Sequence, residues 1–232
     1  CWTAAMLPES SSPQLDVVYA DDDLLVLNKP SGLLCVPGRG PDKQDCLSAR
    51  AQAVYADARV VHRLDQATSG LVLMARGADH QRTLSRAFEQ RSVYKRYSAV
   101  VQGPLPTSWA AWQTIALPIA VDWPNRPRRI VDAVHGQAAC TRARLAPQSP
   151  GLVCADATLL ELEPLTGRTH QLRLHLAAVG FPILGDALYA PPAVAARASR
   201  LMLHACALGV AHPRTGQTLQ WTLEPLKYAG EP

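Results

Sequence analysis

Apolar and polar positions alternate in short runs along this chain, and turn residues separate one run from the next. Val17-Val18-Tyr19 and Leu24-Leu25-Val26-Leu27 are two β-rich runs around the acidic turn Asp21-Asp22-Asp23, which predicts a hairpin. Lys29-Pro30-Ser31-Gly32 follows as a turn, proline fixing one dihedral and glycine supplying a permissive one. A helical stretch runs from Leu47 to Tyr55. Leu71-Val72-Leu73-Met74-Ala75 is apolar throughout, most simply a buried central strand. Asp79 is placed to cap a helix running through Arg91, with Leu84, Ala87 and Phe88 on its buried face and Arg82 and Arg86 together on another.

Tyr94 to Val101 has period two: Lys95, Tyr97, Ala99 and Val101 share one side, and Tyr94, Arg96, Ser98 and Val100 the other. Between Gly103 and Gln148 frequent prolines break every period. A strand over Thr158 to Leu162 then leads into Thr166-Gly167-Arg168. A helix after Thr169 places Leu172, Leu176 and Val179 on one face and ends at Gly180, with Pro182 just beyond. Leu201 to Ala211 and Thr218 to Thr222, joined at Pro213-Arg214-Thr215-Gly216, form a closing hairpin. Helices and strands mix without a βαβ repeat, which predicts an α+β fold. One domain over 15–232 is expected, preceded by a Ser- and Pro-rich tail over 1–14.

Composition supports a packed globule: 48% of the 232 residues are hydrophobic and 18% charged, which excludes a disordered chain. A net charge of +4 suits a polyanionic partner without identifying one. The basic residues are clustered, with Arg82, Arg86, Arg91, Lys95 and Arg96 in one group and Arg126, Arg128 and Arg129 in another. A solvated face accounts for such clusters as well as a nucleic-acid surface does. Six scattered cysteines lack any C-x-x-C pair and read as free thiols in a reducing compartment. No run is long and apolar enough for a membrane span, and residues 1–14 lack the apolar segment of a secretory signal. A soluble, cytoplasmic protein is expected.

Chemistry concentrates at Val61-His62-Arg63-Leu64-Asp65, ahead of the small-residue bend Ala67-Thr68-Ser69-Gly70. A carboxylate so placed serves as a nucleophile or electrostatic catalyst if the fold brings a cation to it, or simply caps the turn. His62, His170, His175, His204 and His212 show no metal-ligand spacing, so no metal site is expected. Neither Lys29-Pro30-Ser31-Gly32 nor Pro37-Gly38-Arg39-Gly40 fits a phosphate-binding P-loop.

Five segments in order carry a resemblance. They are Asn28-Lys29-Pro30-Ser31-Gly32-Leu33, the Asp65 motif, Lys95-Arg96-Tyr97, Thr166-Gly167-Arg168-Thr169-His170-Gln171-Leu172-Arg173, and Pro182-Ile183-Leu184-Gly185-Asp186. Each is weak alone; together, over Val17 to Leu226, the chain resembles the RluA-type pseudouridine synthases. The resemblance implies the pseudouridine synthase fold, a mixed and largely antiparallel sheet with flanking helices. It also implies isomerisation of uridine in structured RNA, without metal or organic cofactor. Asp65 would attack the uridine at the ribose C1′ or the uracil ring while the glycosidic bond breaks, and the base would rejoin through carbon. The same comparison assigns Arg168 as the cation paired with Asp65. It makes Tyr97 the aromatic that stacks on the extruded uracil and serves in proton removal from C5. Arg63 is the residue that enters the RNA stack.

Fewer residues precede the first strand than an S4-like RNA-binding module needs, so none is expected. Substrate selection then falls to the catalytic domain, with Arg82, Arg86, Arg126, Arg128 and Arg129 as rim candidates. The insert Asp122-Trp123-Pro124-Asn125-Arg126-Pro127 looks like a segment of the dual-specificity member of the family, which modifies a tRNA anticodon stem-loop and a similar 23S rRNA hairpin. Trp123 would stack on a base and Asn125 and Arg126 would contact RNA; the alternative is a surface loop with Trp123 tucked into the core. Gly185 supplies a turn and Asp186 a local hydrogen bond. A monomer meets every requirement. Competing readings are a non-catalytic RNA-binding protein, a glycosidase with a second carboxylate at the bond, and a synthase restricted to rRNA or to tRNA.

Overall fold

The computed structural model describes residues 15–147, 152–154 and 156–227; the expected tail over 1–14 lies outside them. β1 (Val17–Ala20) and β2 (Leu24–Lys29) form the predicted hairpin, and α1 (Leu47–Val54) and β3 (Ala58–Val60) precede the loop that carries Asp65. β4 (Ser69–Arg76), α2 (Ala78–Glu89) and β5 (Tyr94–Gln102) follow. The proline-rich middle holds four short strands: β6 (Gln113–Ile115), β7 (Ile119–Val121), β8 (Arg129–Val131) and β9 (Thr141–Leu145). β10 (Leu152–Cys154), β11 (Ala157–Pro164), α3 (Gln171–Ala178), α4 (Pro192–Ala195), β12 (Leu203–Ala211) and β13 (Thr218–Thr222) complete the described chain.

The fold is α+β. Its main sheet runs β1-β2-β4-β12-β5-β11-β9-β6, with β3 on β4, β10 on β11 and β13 on β12, while β7 and β8 make a separate hairpin. The pairings are antiparallel except β4 with β12, where Ser69 and Gly70 lie beside His204 and Ala205. Gly70 makes that approach possible. Its φ is 110°, and a Cβ there would lie 2.3 Å from the Ala205 carbonyl oxygen. The Asp65 loop is thereby pinned to the middle of the sheet.

β2 and β4 are covered on both faces, which is why Leu71–Ala75 is apolar without alternation. Leu25, Leu27, Val72 and Met74 pack with Leu47 and Ala51 of α1. Leu24, Val26, Leu71 and Leu73 pack with Leu84 of α2 on the other side. A third cluster joins β5, β9 and β11 to Leu172 and Leu176 of α3, and Tyr97 touches both this cluster and the α1 cluster.

One expected helix start is corrected. α2 begins after Gly77 (φ 80°), and Asp79 caps nothing; it lies in the first turn and pairs with Arg82. The chain must turn sharply between the end of β4 and the helix, and the left-handed region favours glycine there. The helix stops at Glu89, and Arg91 (φ 58°) takes the left-handed conformation that terminates it. α3 starts at Gln171, with His170 (φ 57°) at its N-cap. Among the described residues, Cys35, Cys46, Cys140 and Cys206 are free thiols, and no helix is long and apolar enough to cross a membrane.

Candidate active site

Lys29 is fully buried, and its ammonium donates to the carbonyls of Pro30 (3.0 Å), Leu33 (2.7 Å) and Gln66 (3.0 Å). Ser31 Oγ donates to the Ala67 carbonyl at 2.7 Å, and Gly32 N–H to that of Gln66 at 2.9 Å. The Lys-Pro-Ser-Gly turn is therefore a clasp on the residues flanking Asp65. Burial pushes the Lys29 ammonium down to about 8, against the opposing charges of Cys35 and Asp65. On the other flank His62 Nε2 accepts the Leu73 N–H at 2.9 Å, and its ring stacks on Phe88 at 4.3 Å. Burial, and then the charge of Lys95, push His62 down to about 3, so the ring is neutral and free to accept.

The carboxylate held this way borders a cavity of about 1130 Å³ shared by the Asp65 loop, Tyr97, the first turn of α3 and the segment around Gly185. That exceeds the ~300–1,000 Å³ typical of small-ligand sites. A nucleotide with its flanking backbone fits better than a free base.

The cation facing Asp65 is Arg173, with Nη1 at 3.6 Å from Oδ2. Arg168, the expected partner, instead directs Nε to the Ala138 carbonyl at 3.2 Å and lines the cavity without an ion pair to Asp65. The turn explains this. Gln171 Oε1 accepts from Thr166 Oγ1 (2.7 Å) and Arg168 N–H (3.0 Å), and its amide nitrogen donates to Cys140 O and Thr141 Oγ1. Thr166-Gly167-Arg168 is thus tied back to the start of β9, and Arg173, in the first turn of α3, faces the carboxylate.

Arg173 and Asp186 are both buried, and Arg173 Nε and Nη2 meet Asp186 at 2.9 and 2.7 Å. Burial opposes the guanidinium charge, but the Asp186 hydrogen bonds and charge outweigh it and raise the group above its ordinary value. Asp186 Oδ1 also accepts the N–H groups of Leu188 and Tyr189. Its expected local hydrogen bonds are present, and its larger contribution is to aim Arg173.

Tyr97 lies on the cavity side of β5 with Lys95, as the period-two reading placed it. Arg96 faces away, paired with Glu161 (3.2 Å) and Glu163 (2.7 Å). Burial, then the charge of Asp65, push the Tyr97 phenol well above its ordinary value. The neutral phenol offers an aromatic face and a hydrogen bond; using it as a base carries that cost.

The other expected RNA contacts divide between places. Arg63 is exposed on the cavity wall. Arg82 and Arg86 do not line this cavity: Arg82 pairs with Asp79, and Arg86 borders a groove between α2 and the β12–β13 turn, near Arg214. Trp123 is 67% exposed on the β7–β8 loop, which excludes the alternative of a core residue. The Arg126 guanidinium stacks on its ring at 3.6 Å, while Asn125 spends its amide on Asp122. Arg128 lies over the Tyr189 ring and Arg129 N–H donates to Tyr189 Oη at 2.9 Å, so the hairpin is fastened to the cavity. Asp21, Asp23 and His212 could together face a cation, but Arg214 and His80 already face Asp23.

Residues 23–178 match the family model for RNA pseudouridylate synthase. The chain belongs to the RNA pseudouridylate synthase family. It is 42% identical over 207 residues to the dual-specificity RNA pseudouridine synthase RluA of Haemophilus influenzae, covering 89% of this chain and 91% of that one. The RluA of Escherichia coli K12 is 44% identical over 209 residues, at the same two coverages. Among solved structures, human RNA Pseudouridylate Synthase Domain Containing 1 superposes with a TM-score of 0.74 at 26% identity, over 94% of this chain and 86% of that one. The family match spans Asp65, Tyr97, His170 and Arg173 and ends before Asp186 and Tyr189, which complete the same site.

Proposed function

We propose that this RNA pseudouridine synthase uses Asp65 as the nucleophile in converting uridine to pseudouridine. Its substrates are a tRNA anticodon stem-loop and a similar 23S rRNA hairpin, and it acts as a cytoplasmic monomer. The observation that carries the reading is the Asp65 carboxylate on the wall of a nucleotide-sized cavity, with the Arg173 guanidinium 3.6 Å away. Tyr97 presents a face for the flipped base. Asp65 bonds to the uridine as the N1–C1′ bond breaks, the ring turns, C5 bonds to C1′ as Asp65 is released, the C5 proton leaves and N1 takes one up, so the product is an isomer. Dual specificity is in the name of the relatives at 42–44% identity, and the Trp123–Arg126 tip is the element suited to reading a loop.

The test is pseudouridine formation in both RNA classes by the parent chain and by Asp65→Asn. Modification of both by the parent, and of neither by the variant, is the expected result. Full activity in Asp65→Asn would overturn the assignment of the nucleophile, and modification of one class alone would reduce the substrate range.

A further inference from the structure

His170 is the least explained residue of the site. It opens α3 with φ at 57°, a conformation unfavourable for a non-glycine residue that persists where its surroundings enforce it. Its side chain is only 10% exposed. Nδ1 lies 2.7 Å from Tyr189 Oη, and Nε2 lies 3.9 Å from Asp65 Oδ1.

The bond to Tyr189 bears on the tautomer. Its oxygen already accepts the Arg129 backbone N–H at 2.9 Å, which leaves its single proton to donate, and Nδ1 is the acceptor in reach. A neutral imidazole that accepts at Nδ1 carries its proton on Nε2, facing Asp65. Burial favours the neutral ring; Asp65 and Asp186 oppose this, Arg173 and Arg129 support it, and the net shift is downward.

We propose that His170 is a positioning residue for the catalytic carboxylate, its Nε2–H directed at Oδ1 while Arg173 holds Oδ2, with Tyr189 fixing the tautomer. Two donors on two different oxygens stop the carboxylate from rotating, which one arginine alone does not. The 3.9 Å separation is longer than a hydrogen bond, as is the 3.6 Å from Arg173 Nη1 to Oδ2. Catalytic hydrogen bonds are commonly long before substrate is in place, and a shift of about 1 Å closes this one. The inference rests on Asp65 being the nucleophile.

The experiment measures release of tritium from C5-labelled uridine in a stem-loop RNA. It compares kcat and KM between pH 5.5 and 8.5 for the parent, His170→Gln, His170→Leu, Tyr189→Phe and Asp65→Asn. Since a misplacement near 1 Å costs up to about 100-fold, His170→Leu is expected to lower kcat about ten- to a hundred-fold with KM unchanged. His170→Gln, whose amide reaches the Nε2 position, is expected to recover most of that loss. Tyr189→Phe lets the neutral ring carry its proton on Nδ1 instead, so kcat should fall as pH rises and the imidazolium, which always donates from Nε2, is lost; the parent lacks this fall. A His170→Leu kcat within twofold of the parent, a change confined to KM, or a Gln variant as poor as Leu would each overturn the proposal. Should His170→Leu fail to fold, a Tyr189→Phe enzyme with the parent's kcat and pH profile overturns it instead. A dead Asp65→Asn beside an unimpaired His170→Leu removes only this inference; an active Asp65→Asn removes the nucleophile as well.

Discussion

Replacing Asp186 by asparagine tests whether the buried ion pair behind Asp65 holds the site. Asp186 and Arg173 are 1% and 5% exposed, joined by two hydrogen bonds. Removing one partner of a buried pair strands the other charge and costs about 3–5 kcal/mol. For a chain of this size each kcal/mol shifts Tm by roughly 2–4 °C, so Asp186→Asn should melt about 6–20 °C below the parent. The amide is nearly isosteric with the carboxylate, so the loss is of charge and of acceptor capacity rather than of volume.

Activity should fall for a separate reason. With Asp186 neutral, Asp65 becomes the remaining carboxylate facing Arg173, at 3.6 Å but partly exposed, so its attraction is screened and does not replace the lost pair. The guanidinium then shifts toward Asp65 and holds its oxygens more tightly, lowering kcat. Thermal denaturation and tritium release read the two effects. A double-mutant cycle with Arg173→Met sharpens the stability arm: once the cation is gone, Asp186→Asn strands no charge, so the double variant should be more stable than the sum of the single losses by about 2 kcal/mol or more. Additive losses, or an Asp186→Asn Tm within about 2 °C of the parent, would refute the reasoning.

Stability should also depend on pH through His62. The imidazole titrates near 6.5 unfolded and about 3 folded, so between these values the unfolded chain binds one more proton and stability falls as pH is lowered. Urea unfolding should show about 2 kcal/mol lost to this residue between pH 6.5 and 5. His62→Gln, which keeps an acceptor for the Leu73 N–H, should flatten that slope; an unchanged slope would refute the assignment. At the β7–β8 tip, Trp123→Ala should weaken stem-loop binding about ten-fold, within the ~1–3 kcal/mol of one base stack, without moving Tm. Arg126→Gln should reduce the slope of log Kd against log salt by about one, and unaltered binding in both variants would remove the tip from the interface.

Where one residue's periodicity decided its environment, the sequence was legible. Leu71–Ala75 is apolar because α1 and α2 cover β4 from opposite sides, and the alternation from Tyr94 put Tyr97 on the cavity and Arg96 against Glu161 and Glu163. Between Gly103 and Gln148 the strands are too short for a period to show, and β6 takes its partner from β9, across the whole β7–β8 hairpin. The start of α2 was misplaced because Asp79 is a good cap by type, whereas the sharp exit from β4 selects Gly77 by backbone angle.

The site shows the same division. Asp65 and Tyr97 are marked by residue type within short motifs, but the choice of cation is not. Arg168 and Arg173 occupy one motif, and which of them faces Asp65 depends on Gln171 tying the turn to β9 and on Asp186 binding Arg173 from beyond the helix. Read along the chain, Pro182-Ile183-Leu184-Gly185-Asp186 is a turn with a local hydrogen bond. In three dimensions Gly185 (φ 75°) brings the segment so close to Arg200 that a Cβ would lie 1.8 Å from its carbonyl oxygen, and that packing sets Asp186 beneath Arg173. Tyr189, three residues further, fixes His170. The segment therefore acts on the carboxylate twice, through the cation on one oxygen and the imidazole facing the other. For that reason substitutions at Asp186 and Tyr189 should separate in their effects, the first lowering stability and kcat together and the second altering the pH profile of a stable enzyme.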